Sequence, residues 1–183
     1  MHIPYCAAIG NEEKEIISNC KYNHNQMKIT LLTVGKTDQG FLKEGIVEYI
    51  KRLKHYVSFE VKEIAALKKT SGMSPDVVKQ KEAELISRHL EKADCLVLLD
   101  ERGQEFSSVG FSGFLQKRMN SGVKEIVFVV GGAWGFADTL HQKAHFKIAL
   151  SKMTFSHQMV RLFFVEQLYR AFTILKGESY HNE

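Results

Sequence analysis

The sequence has few of the residues that interrupt regular structure or cross-link a chain. Its 183 residues include two prolines, Pro4 and Pro75, so most of the chain is free to form helices and strands. The three cysteines, Cys6, Cys20 and Cys95, form no CxxC pair, which argues against a disulfide framework and a structural zinc site. We interpret Cys95, which lies in an apolar run, as a buried and inert thiol.

Long apolar segments are also missing. No stretch approaches the ~20 residues that a membrane-spanning helix requires. Residues 1–26 lack the apolar segment of a secretory signal, so the sequence predicts a cytoplasmic protein that does not bind membranes. The net charge of +4 is compatible with a polyanionic partner but does not require one.

Two nucleotide-binding motifs are incomplete. Val34-Gly-Lys-Thr37 ends like a phosphate-binding loop, but Thr30 stands where that loop needs its first glycine. Without this glycine the backbone cannot form the amide cradle that holds phosphates. No G-x-G-x-x-G fingerprint follows the first predicted strand either. The sequence therefore argues against a nucleoside triphosphate or a dinucleotide as cofactor.

The character of the chain changes at Met27. Residues 1–26 are polar and without sustained periodicity, and we predict an N-terminal extension outside the fold. It is either a tail or the product of a wrongly assigned upstream start codon. Residues 27–183 are predicted to form one domain of ordinary size.

Strands and helices alternate through this domain. Strands are predicted from apolar runs at Met27–Val34, Ser58–Ala66, Cys95–Leu99, Lys124–Val130 and His145–Leu150. Helices are predicted at Phe41–Leu53, Pro75–Leu90, from Ser107 or Ser108 to Met119, Asp138–Ala144 and His157–Lys176. Such alternation favours an α/β fold, a mostly parallel sheet with helices on both faces.

Ligands of such sheets bind beyond the carboxyl ends of the strands. The corresponding loops are Gly35–Gly40, Leu99–Gly103, Gly131–Gly135 and Leu150–Ser156. Three glycines in Gly131–Gly135 would let a ligand approach the backbone, although a tight turn without a ligand explains them too. This loop supplies no cation for phosphate, so an adenosine-type ligand fits it better than a nucleotide.

The last third of the chain holds the remaining candidate residues. The final helix is apolar on nearly every side, which predicts burial on both sides, with Phe164 and Phe172 directed at a second protomer. His157 begins this helix beside Arg161. The tail, which includes Tyr180 and His181, is expected to be ordered only if it docks on another surface.

Several segments together resemble one known family. They are Met27–Lys36, Leu99–Gly103, Val130–Gly135, Leu150–Phe155, His157–Arg161, Glu166–Ala171 and Tyr180–His181. In this order they are similar to the motifs of ribosomal RNA large subunit methyltransferase H, of the SPOUT class. The resemblance extends from Met27 to the C-terminus.

This resemblance implies a parallel α/β domain with a C-terminal trefoil knot, assembled as a homodimer. The implied reaction transfers a methyl group from S-adenosylmethionine, without a metal, to N3 of a pseudouridine. The implied partner is a stem-loop of 23S rRNA within the assembled ribosome. By the same resemblance, the cofactor contacts Leu99, Gly131, Leu150, Ser151, Lys152, Met153, Thr154 and Phe155.

Four residues are the catalytic candidates. His157 is the titratable group expected to act as a base or to orient the substrate, since the acceptor N3–H must lose its proton. Arg161 could bind phosphate or support the uracil-like ring. Tyr180 could stack on an unpaired base, and His181 could contact that base.

The sequence departs from the family pattern at three positions. Ser156 stands where the family commonly has proline, and Asn182 and Glu183 replace a basic ending. None of the candidate catalytic residues is lost. Two alternatives stay open: a SPOUT methyltransferase with another RNA target, and a non-catalytic, ribosome-associated RNA-binding module.

Overall fold

The computed structural model describes residues 27–181. The predicted extension at residues 1–26, and the departures at Asn182 and Glu183, lie outside the described residues. Within the described part of the chain, no helix combines the length and the apolar character needed to cross a membrane.

One parallel sheet of five strands forms the centre of the domain, in the order β2-β1-β4-β3-β5. The strands are β1 (Lys28–Val34), β2 (Ser58–Ile64), β3 (Cys95–Glu105), β4 (Glu125–Val130) and β5 (Phe146–Ala149). All but the first residue of both β1 and β4 are buried. Continuous burial of this kind marks strands that are covered on both faces.

Helices lie on both sides of this sheet. They are α1 (Gly40–Leu53), α2 (Pro75–Ser87), α3 (Ser108–Asn120), α4 (Asp138–Lys143) and α5 (His157–Lys176). One apolar cluster joins the sheet to α1, α3 and α5, and a second joins its other face to α2 and α4. The predicted α/β fold, with a parallel sheet flanked by helices, is confirmed.

Serine side chains begin three of the helices. Ser74, Ser107 and Ser156 each accept a hydrogen bond from the backbone N–H three residues later, at the starts of α2, α3 and α5. These bonds satisfy N–H groups that have no partner inside a helix. Ser156 therefore stabilises the start of the helix that carries His157.

The prediction that Phe164 and Phe172 face a second protomer is wrong. Both side chains are fully buried within the domain. The reason is that α5 packs between α1 and α3 as well as on the sheet, so its own chain covers nearly every side of it. Phe163 is the large apolar side chain of this helix that stays exposed, at 37%.

Strand β3 extends beyond its predicted end at Leu99. Leu99 and Gln104 both pair with Ile148 of β5, so the residues between them form an irregular bulge rather than a turn that ends the strand. A Cβ atom on Gly103 would lie 2.5 Å from the backbone nitrogen of Ile148, so only glycine fits this close approach. The sequence did not predict this extension, because its charged residues do not alternate with apolar ones as in a strand. The extension is held by pairing with β5, which is distant in the chain.

Candidate active site

The carboxyl ends of β3, β4 and β5 open into one cleft of about 540 Å³. Its walls come from the β3 bulge at residues 100–102, the glycine loop at residues 131–136 and the loop at residues 150–157. Pockets for small molecules usually measure about 300–1,000 Å³. The cleft therefore has the size and the position, at strand ends, of a ligand site in a parallel sheet.

Most of the predicted cofactor residues meet in this cleft. Those that line it are Leu99, Gly131, Leu150, Ser151, Met153, Thr154 and Phe155. Lys152 is exposed and lies outside the lining. Of the four candidate catalytic residues, the lining includes His157.

The glycine loop is shaped by contacts within the protein. Gly135 N–H donates to the Gly132 carbonyl across 3.2 Å, which closes a tight turn. A Cβ atom on Gly132 would lie 2.5 and 2.6 Å from the two carboxyl oxygens of Glu82, which α2 places behind the loop. Packing inside the protein thus explains the small residue at Gly132, where the sequence had suggested the approach of a ligand.

The loop at residues 150–157 is tied to the β3 bulge. The Thr154 hydroxyl donates to Glu101 Oε2 across 3.1 Å, and Ser151 Oγ accepts from the Met153 N–H at 2.9 Å. Met153 is 73% exposed, and Trp134, on the glycine loop, is 59% exposed. Two apolar side chains therefore stand in solvent on two different walls of the cleft.

His157 is partly buried where α5 begins. Burial lowers the pKa of its imidazole below the ordinary value of 6.5, and the nearby charge of Arg161 lowers it further. Asp38 opposes this effect with a smaller contribution. The imidazole is therefore neutral at pH 7 and able to accept a proton from a group bound in the cleft.

Comparison with known proteins assigns the chain to a family. The model described as "Predicted SPOUT methyltransferase" matches residues 27–181. Ribosomal RNA large subunit methyltransferase H of Flavobacterium johnsoniae is 54% identical over 157 residues, which cover 86% of this chain and 100% of that protein. The protein of the same name from Cytophaga hutchinsonii is 54% identical over 156 residues, covering 85% and 100%. The chain belongs to the large-subunit methyltransferase H family of SPOUT methyltransferases.

A solved structure supports the fold. The crystal structure of a probable methyltransferase from Bordetella pertussis Tohama I matches with a TM-score of 0.53 at 9% identity. The match covers 80% of this chain and 96% of that one. At such low identity the likeness concerns the fold alone.

In this SPOUT methyltransferase, Arg161 is buried, at 1% exposure, and its guanidinium binds backbone groups at the end of β1. Nη2 donates to the Val34 carbonyl at 2.7 Å, and Nη1 donates to the Gly35 carbonyl at 3.0 Å and the Thr37 hydroxyl at 2.9 Å. The guanidinium thereby ties the end of β1 to α5, one turn after His157. This geometry favours a role in holding the site together, whereas a role in binding RNA phosphate needs an accessible guanidinium.

Tyr180 and His181 lie on the surface formed by α1 and α5, and neither belongs to the cleft lining. The Tyr180 hydroxyl is 3.2 Å from both the Tyr49 hydroxyl and Glu166 Oε1, and Arg170 lies over its ring at 4.8 Å. His181 Nδ1 is 3.5 Å from Arg170 Nη1. The tail thus docks on its own protomer, and the structure does not bring it together with His157.

Sequence reasoning did not identify Lys79 and His141 as cleft residues. Lys79, on α2, lines the cleft and pairs with Asp76 at 2.7 Å. His141, on α4, lies with Nε2 3.6 Å from Asp100 Oδ2, and both residues line the cleft. No local motif marks either residue, because each reaches the cleft from a helix that precedes or follows the glycine loop in the chain.

Proposed function

We propose that the protein transfers a methyl group from S-adenosylmethionine to N3 of a pseudouridine in a stem-loop of 23S rRNA. Its substrate is the assembled ribosome, and its place of action is the cytoplasm. Support comes from the family, whose relatives bear the name ribosomal RNA large subunit methyltransferase H. The observation that carries the proposal is the convergence of a partly buried, neutral His157 with the glycine loop and residues 150–155 in one cleft.

The lining of the cleft fits the proposed cofactor. Leu99, Val130 and Ile148 offer apolar surface for an adenine ring, and the glycine loop offers backbone groups for its edge. The methionine end of the cofactor carries an ammonium and a carboxylate. Asp100 and Lys79, of opposite charge, line the same cleft and would hold these two groups.

The bound cofactor would supply a methyl group that its sulfonium already activates, so the protein chiefly has to orient donor and acceptor. His157 would accept the proton that leaves N3. Arg161 would hold the start of α5 in place, and the exposed ring of Trp134 would stack on an unpaired base at the mouth of the cleft. No metal is required for these steps.

We also propose that the working unit is a homodimer whose chains each carry a trefoil knot. The exposed side chain of Phe163, 4.9 Å from the ring of Phe155, is the apolar feature of α5 available to a second copy. The tight passage of Gly103 against β5 is compatible with a chain threaded through this region. Sedimentation of the purified protein and of Phe163→Glu tests the dimer.

The function is tested with ribosomes from a strain that lacks the gene. We expect the purified protein and S-adenosylmethionine to add one methyl group to 23S rRNA in these ribosomes. Mass spectrometry should locate that group on N3 of a pseudouridine. In calorimetry without ribosomes, chelator should leave the binding of S-adenosylmethionine unchanged. Methylation at another site would establish another RNA target. Cofactor binding without methyl transfer to any ribosomal RNA would contradict the proposal in favour of a non-catalytic module.

A further inference from the structure

A buried acidic residue lies directly behind the glycine loop. Glu82, on α2, is 8% exposed, and its neighbours on the buried face of this helix are Val78, Ala83 and Ile86. Its Oε2 has no hydrogen-bond partner among the described residues. Burial raises the pKa of this carboxyl, and the hydrogen bond from Gly132 opposes that effect.

A carboxyl group in this position reduces the stability of the fold. Burying an ionisable group without full hydrogen bonding is unfavourable, and an apolar side chain of similar volume avoids this desolvation cost. The apolar cluster on this side of the sheet would accept methionine, since it already holds Ala83, Ile86 and Leu140. Core packing therefore does not explain Glu82.

The contact with the glycine loop does explain it. Both carboxyl oxygens lie against the face of Gly132 where a side chain would be, close enough for the carboxyl to interact with the backbone of the loop. Gly132 also closes the tight turn to Gly135 and lines the cleft. Glu82 thus contacts the backbone of the loop on the side away from the cleft, while the opposite side of the loop faces the proposed cofactor.

We propose that Glu82 is a positioning residue for cofactor binding: its carboxyl fixes the glycine loop in the conformation that the adenosyl group contacts. This inference rests on the proposed function, because it assumes an adenosyl ligand in the cleft. Glu82 itself does not line the cleft, so it acts through Gly132. The buried carboxyl lowers the stability of the fold, but it keeps the loop in the binding conformation before the cofactor arrives.

Two substitutions separate the hydrogen bond from the packing. Glu82→Gln keeps an oxygen that accepts from the Gly132 N–H, whereas Glu82→Met keeps the volume and loses the acceptor. Ile86→Met is the matched control, since Ile86 is fully buried one turn further along the same helix. Volume-conserving apolar exchanges of this kind are usually tolerated.

Affinity for S-adenosylmethionine is measured by calorimetry on the full-length protein. We expect Glu82→Met to weaken binding about tenfold, equivalent to about 1.4 kcal/mol, while its Tm equals or exceeds that of the unmodified protein. Glu82→Gln and Ile86→Met should bind as the unmodified protein does. Unchanged affinity in Glu82→Met would overturn the proposal, as would equal losses in the Gln and Met variants. A marked fall in Tm would also overturn it, by showing that Glu82 serves stability.

Hydrogen exchange at the Gly132 amide provides a readout without any cofactor. The amide should exchange faster in Glu82→Met and at an unchanged rate in Glu82→Gln. Equal exchange in both variants would contradict the contact on which the proposal is built. If the unmodified protein does not bind S-adenosylmethionine, the proposed function fails, and the exchange rates still decide whether Glu82 holds the loop.

Discussion

Replacing Arg161 by methionine should destabilise the protein strongly. The guanidinium is 1% exposed and makes hydrogen bonds to the carbonyls of Val34 and Gly35 and to the Thr37 hydroxyl. Loss of the donor leaves two carbonyls unsatisfied at about 1–3 kcal/mol each, a gross loss of about 2–6 kcal/mol. Removing a desolvated cation offsets part of this loss. We expect a net decrease of about 2–4 kcal/mol in the free energy of unfolding.

Urea unfolding followed by circular dichroism measures this change. For a domain of this size, a loss of about 2–4 kcal/mol lowers Tm by about 4–16 °C. Arg52→Met is the control, because the ion pair of Arg52 with Glu48 is exposed on the surface, where such pairs contribute little to stability. If Arg161→Met keeps the stability of the unmodified protein and loses methyl transfer, our structural assignment is refuted, and Arg161 binds phosphate or supports the uracil-like ring, as we had predicted from the sequence.

Three further predictions concern other parts of the molecule. Gly103→Ala should lower Tm severely, since its Cβ would meet the β5 backbone at 2.5 Å, whereas Gly113→Ala, with open space around it on a helix, should raise stability by about 0.5–1 kcal/mol. Deletion from Ser179 onward should leave cofactor binding intact, because Tyr180 and His181 lie outside the cleft lining. Loss of cofactor binding in calorimetry would contradict this expectation. If binding is intact, methyl transfer by the truncated protein tests the predicted RNA contact of the tail. The pKa of His157 lies below 6.5, so kcat/KM should rise with pH through that pKa and level off above it, at a lower pH than for an ordinary imidazole. As the pH falls, the His157 imidazole is protonated in the unfolded chain before it is protonated in the folded protein. The free energy of unfolding that the neutral imidazole contributes above pH 6.5 is therefore lost as the pH falls through the pKa of the folded state. A flat profile in the range below pH 6.5 would exclude His157 as the base.

Local patterns predicted the elements of the fold well. Apolar runs such as the one in β4, and serine caps such as Ser74 and Ser156, act over a few residues, so a single sequence displays them. The bulge in β3 was missed because a charged stretch has no strand periodicity, and it is the pairing with Ile148 that holds it. The outward direction given to Phe164 was wrong, since periodicity shows that a side chain is buried but not which neighbour buries it.

The sequence by itself determined the fold class, the family and three of the four loops predicted at the ligand site, whereas the loop at residues 35–40 is not part of the cleft lining. These properties follow from residue order, because alternating strands and helices form a parallel sheet whose carboxyl ends share one edge. Only the tertiary structure decided what individual polar residues do. It buried Arg161 against β1, placed Glu82 behind Gly132 and docked Tyr180 on α1 and α5. Each of these depends on contacts between residues distant in the chain, and the environment that such contacts create decides whether a charged or aromatic group serves the chemistry or the scaffold.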